Sequence, residues 1–76
     1  MVGLGRYRHF KGNEYEVIAI AKHSETEEEM VVYKAIDGGK VSNGDFEIWV
    51  RPLKMWTEMI TRDGKIFPRF EKINED

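Results

Sequence analysis

The sequence contains no cysteine. That excludes disulfide staples, thiolate metal ligands and a cysteine nucleophile, and it favours a reducing interior. Histidine is scarce, with only His9 and His23. A two-histidine, one-carboxylate centre needs both imidazoles within about 2.1 Å of one ion. If residues 6–10 and 15–22 form a hairpin, His9 falls near Glu16, and His23 lies far along the second strand. At roughly 3.3 Å per residue the two are more than about 20 Å apart. No metal and no cofactor is expected, and both histidines are expected on the surface or anchoring loops. Long apolar runs are missing too. The longest, Val17–Ala21, has five residues, against about 20 for a membrane helix. Gly3, Leu4 and Gly5 lead into Arg6 and Arg8, which reverses and truncates the order of a secretory signal. A soluble, cytoplasmic chain with no membrane partner is expected. No sign of charge dominates, because 12 basic against 14 acidic residues leave a net charge of −2. Wholesale electrostatic capture of nucleic acid is not written into that balance.

What is present is a globular composition, 41% apolar and 34% charged. A chain of 76 residues makes one small domain, residues 1–76, that buries roughly 63% of its open-chain surface. That size has no room for a separate cofactor domain. The charge is unevenly spread: net +2 over residues 1–22, −5 over 23–50 and +3 over 51–72. A basic face arises if the first and last thirds meet.

Strand-like segments alternate with turn signals. Residues 6–10, 15–22, 30–36 and 46–51 read as strands, with a turn at 11–14, a polar loop at 23–29 and a Gly-rich loop at 37–45. Pro52 ends the fourth strand. Leu53, Trp56 and Ile60 then fall at helical spacing, so 52–60 reads as one short helix. Arg62-Asp63-Gly64-Lys65 is a turn, and 66–73 a last strand marked as an edge or irregular by Pro68.

Alternation offers two faces. Ile18, Ile20, Val32, Phe46, Ile48 and Val50 share the even one, the expected core. Val17, Ala19, Val31, Tyr33 and Trp49 share the odd one, with Arg51 at its end. Symmetrical hairpins set Tyr33 between Ala19 and Trp49. The odd face is too apolar to be simply wet. Either the helix or a barrel closure covers it, or it is a binding or dimer surface.

GRYRHFKG at 5–12, the Tyr15–Ala21 strand, HSETEEE from 23, VVY at 31–33, WVRPL at 49–53, DGK at 63–65 and PRF at 68–70 occur in that order. Over residues 5–73 this set closely resembles the small bacterial family of domain of unknown function 1653. The resemblance implies a small β-barrel of the SH3-like type and no particular reaction. This chain has Trp56 where the family often has Phe, and its loop at 37–45 is longer than expected.

Catalytic arrangements find little support. His23-Ser24-Glu25 are chain neighbours, which rarely align nucleophile, base and orienter, and Ser24 or Thr26 is better suited to capping a turn. Gly3-x-Gly5 and Gly38-Gly39-Lys40 lack the strand–loop–helix context of a phosphate loop. Arg51 and Arg69 stand out because each is a charge amid apolar neighbours. Arginine pairs carboxylate or phosphate bidentately and stacks on aromatic rings. Arg51 is expected to be at least half buried against Trp49 or Trp56, with Glu58 the first candidate for its partner.

The combined expectation is a mainly β, SH3-like barrel of about five strands with one short helix after Pro52. It is expected to act as a non-catalytic binding module for a protein or small-molecule ligand, contacted through Tyr33, Trp49, Arg51 and Arg69. Two alternatives remain open: a nucleic-acid-binding barrel, and a homo-oligomer built through the odd face or an edge strand.

Overall fold

The structure, a computed structural model, describes residues 2–37, 40–41 and 47–73. Phe46 and most of the predicted loop at 37–45 lie outside the described residues.

Strand β1 (Gly5–His9) returns as β2 (Glu14–Lys22) through a tight turn. Gly12 makes the turn possible at φ +106°, a left-handed value at which a Cβ would be strained. The amide of His9 donates to the Asn13 carbonyl at 2.7 Å, and that of Gly12 to His9 at 2.7 Å. The register sets Arg6 against Glu16 and Tyr7 against Tyr15, so His9 sits at the turn and not beside Glu16. β2 pairs with β3 (Glu29–Asp37), which carries β4 (Lys40–Val41) and β5 (Ile48–Pro52) in succession along its other edge.

After Pro52 the chain makes one helical turn, α1 (Leu53–Trp56), and then extends again as β6 (Met59–Arg62). The predicted helix at 52–60 is thus cut short. Thr57 closes it, its amide donating to the Leu53 carbonyl at 3.0 Å and its hydroxyl to the same oxygen at 3.1 Å. A single turn has no cooperative helix stability of its own; burial of Trp56 holds it. β6 and β7 (Lys65–Pro68) form a two-stranded ribbon. Its two-residue turn is Asp63-Gly64 at φ 52° and 74°, the positive angles that a twisted hairpin requires. The predicted strand at 66–73 is broken at Arg69, where the chain leaves the ribbon and joins β1 as β8 (Phe70–Lys72). Two backbone hydrogen bonds fix the break: the Arg69 amide donates to the Glu58 carbonyl, and the Phe10 amide to the Arg69 carbonyl, each at 2.9 Å.

The protein is therefore mainly β, with one short helix and two antiparallel sheets. Among the described residues these sheets do not close into a barrel. The core reverses the expected faces. Tyr7, Val17, Val31, Tyr33, Trp56 and Phe70 are buried, while Ile18, Ile48 and Val50 are exposed. The odd face wins because α1 drops Trp56 onto it and β8 brings Phe70 beneath the indole. A β-bulge between Val17 and Ala19 then shifts the register, so that Val17 opposes Tyr33 while Ile20 opposes Val31. Ile20 thereby joins the core without breaking alternation elsewhere. Tyr33 keeps Trp49 as its partner on β5 but faces Val17, not Ala19, on β2.

Candidate binding surface

β5 is built for a sheet: Ile48, Trp49 and Val50 have strong strand preference, and pairing with β3 sets Trp49 opposite Tyr33 and Arg51 opposite Val31. Yet its neighbours end there. Among the described residues no strand pairs with its outer edge. Ile48, Trp49 and Val50 are 46%, 54% and 60% exposed, so both faces of the strand meet solvent.

The four predicted contact residues have distinct positions. Tyr33 is buried, packed against Trp56 at 4.9 Å between ring centroids and against Tyr15 at 5.3 Å, so it forms the floor and not the surface. Trp49 lies in the open beside it. Arg51 is half-buried with its guanidinium over the Phe70 ring, 5.3 Å from the centroid. Arg69 pairs with Glu58, Nη2 to Oε1, at 3.3 Å. The expected Arg51–Glu58 pair is thus replaced by Arg69–Glu58, because Arg69 occupies the break that already hydrogen-bonds the Glu58 backbone. Among the described residues no carboxylate or carbonyl accepts from the Arg51 guanidinium. Arg69 Nε is buried and, among the described residues, has no hydrogen-bond partner.

His9, which sequence reasoning set aside, completes this end of the sheet. Its ring contacts Phe70 edge-on at 4.9 Å and Phe10 at 4.4 Å. Burial lowers its pKa, helped by the positive charges of Arg69, Arg51 and Lys11. Its Nδ1 accepts from the Lys11 amide at 3.1 Å. His23 plays a similar part at the far end of β2, where Nδ1 accepts from the Glu25 amide at 3.1 Å and the Thr26 amide at 3.4 Å. Thr26 Oγ1 in turn accepts from Glu28 at 3.2 Å. Each histidine thus anchors a loop, and His23-Ser24-Glu25 is a turn. Among the described residues no three His, Asp or Glu side chains gather as metal ligands.

A cavity of about 300 Å³ opens beside His9, lined by Arg8, Phe10, Phe67, Pro68 and Glu71. None of the four predicted residues lines it. This cavity and the predicted contact residues therefore fall on separate parts of the surface. Nothing in the spacing of Phe10, Phe67 and Pro68 announced the cavity, because the break at Arg69 creates it.

The family model for a protein of unknown function, DUF1653, matches residues 5–72. The chain belongs to this family. A crystal structure of a DUF1653 protein from Bordetella bronchiseptica is similar to it, with 27% identity and a TM-score of 0.77, over 99% of this chain and 95% of that one. Among curated proteins no match is found. In this DUF1653 chain, no helix among the described residues is long and apolar enough to cross a membrane.

Proposed function

We propose that this chain is a non-catalytic binding module of the bacterial cytoplasm that receives a protein partner on the open edge of β5. In this reading its sheet and ribbon form an incompletely closed SH3-like barrel wrapped round Trp56. The observation that carries the proposal is the run Ile48-Trp49-Val50, exposed on both faces of an edge strand. Unpaired main-chain groups along such an edge accept a further strand, and flanking side chains select it. Trp49 supplies a stacking surface, Arg51 a cation over Phe70 with no carboxylate partner among the described residues, and Arg69 a second guanidinium, paired with Glu58. A partner segment of alternating apolar and acidic residues is the chemistry that matches.

The rival, single-stranded nucleic acid, draws on one observation: Arg69, Arg51 and Lys11 together raise the positive potential at His9. Titration of ¹⁵N-labelled protein separates the two. A decapeptide of alternating valine and glutamate should shift the amides of residues 48–51 and the Trp49 indole signal. An oligothymidylate should bind weakly. Tight oligothymidylate binding that collapses with salt would favour the rival. If neither probe moves these signals, β5 is not a binding edge.

A further inference from the structure

We infer that the partner fitted to β5 is a second copy of this chain, paired antiparallel about a two-fold axis through Trp49. The inference rests on β5 being the contact edge and names its occupant. Glu47-Ile48-Trp49-Val50-Arg51 is self-complementary when reversed. With Trp49 opposite the second copy's Trp49, Glu47 falls opposite the second copy's Arg51, and Arg51 opposite its Glu47. Ile48 falls opposite Val50 on the other face, twice over.

Each element of the match is open in the single chain. The Glu47 side chain is exposed and, among the described residues, takes part in no hydrogen bond or ion pair. The Arg51 guanidinium rests on Phe70 and, among the described residues, has no acceptor. Positions 47, 49 and 51 project on one side of the strand, so the two charge pairs flank a cross-strand Trp–Trp contact. Opposite charges and aromatic pairs facing each other across antiparallel strands are stabilising. On the other side Ile48 and Val50 form two apolar cross-strand pairs beside Val32, which already faces Val50 from β3.

The same pattern rejects the alternatives. A parallel arrangement sets Glu47 on Glu47 and Arg51 on Arg51. A slip of one residue places each charge against an apolar side chain and turns Trp49 away from its counterpart. The pairing is isologous, so the outer edge of β5 is used in both copies at once.

Sedimentation measures the mass across a concentration series, with a dimer at twice the 8.9 kDa chain mass expected. Glu47→Arg should weaken association about tenfold or more, since two arginines then meet at each end, and Arg51→Glu should do the same with two carboxylates. An equimolar mixture of the two variants restores both charge pairs and should dimerise while each alone stays monomeric. Far-UV spectra establish that each variant is folded; if Arg51→Glu is not, the Glu47→Arg arm decides alone. A parent chain monomeric at millimolar concentration overturns the inference. So does a dimer indifferent to Glu47→Arg, or a mixture of folded variants that stays monomeric. A monomer that still takes the valine–glutamate peptide on β5 overturns the dimer and keeps the binding edge, whereas a monomer that ignores the peptide removes both.

Discussion

Trp56 lies flat on Phe70, the ring centroids 3.7 Å apart and the planes within 2° of parallel. Tyr7 meets the same indole edge-on at 5.5 Å, and Tyr33 meets it at 4.9 Å. One side chain from a four-residue helical turn thus joins residues of β1, β3 and β8. Replacing Trp56 by Ala should cost about 3–5 kcal/mol, a large share of the total for so small a domain. Trp56→Phe should cost much less. It keeps a ring on Phe70, and it removes an indole N–H that is buried without an acceptor among the described residues, a group whose desolvation is itself unfavourable. Urea melts of the two variants should separate clearly. Equal losses would show that indole volume, and not stacking, holds the core.

Arg69 and Glu58 tie the ribbon to the main sheet through their side chains and their backbones. Glu58 is 47% exposed, so the ion pair is partly screened and should contribute at most about 1 kcal/mol. A double-mutant cycle with Glu58→Gln and Arg69→Gln should show coupling of about 0.5–1 kcal/mol. The matching cycle between Glu58 and Arg51 should show none beyond about 0.3 kcal/mol. The reverse result would restore the pairing that chain order alone suggests.

That pairing illustrates where the sequence was legible. Arg62-Asp63-Gly64-Lys65 announces its turn, because few residues other than Gly and Asp tolerate positive φ. The strands around 15–22 and 30–36, and the partnership of Tyr33 with Trp49, also follow from alternation. The choice of core face does not. Ile18, Ile48 and Val50 are as apolar as Val17, Val31 and Tyr33, so period two alone cannot say which set is buried. What decides it is a long-range event, the arrival of Trp56 and Phe70 on the odd side. The bulge after Val17 is equally silent, since no glycine marks it. At 52–60 a helical spacing of Leu53, Trp56 and Ile60 coincides with a turn followed by a strand, and the ribbon's pairing overrides the short helical pattern. Of the predicted contact residues, Trp49 is at the surface because β5 is an edge, a property of topology that no single segment displays.

His9 makes stability depend on pH with a definite sign. Its folded pKa lies below the ordinary 6.5, through burial first and then the charges of Arg69, Arg51 and Lys11. The unfolded chain therefore binds a proton that the folded chain resists. Stability contributed by neutral His9 is present above pH 6.5, falls as the pH drops through that value, and levels off once the folded imidazole is also protonated. His9→Asn keeps an acceptor for the Lys11 amide and removes the titration. Urea midpoints measured from pH 7.5 to pH 5 should fall more steeply for the parent than for His9→Asn. Parallel curves would remove His9 as the cause.

Trp49 and Trp56 are the two tryptophans, and they should respond oppositely to truncation. Trp56 is 2% exposed and Trp49 is 54% exposed. Truncating a buried aromatic loses transfer free energy and leaves a cavity; truncating a half-solvated one at an edge loses little of either. Trp49→Ala should therefore shift stability by no more than about 1 kcal/mol in dilute solution, where the chain stands alone. At high concentration the same substitution should cost association, because the ring sits at the centre of the proposed two-fold contact. The discriminating measurement is the melting temperature of parent and Trp49→Ala over a hundredfold range of concentration. A parent whose melting temperature rises with concentration, beside a variant whose melting temperature does not, is the expected pair of curves. A large loss for Trp49→Ala even in dilute solution would place the ring in the core and end its role as a contact surface.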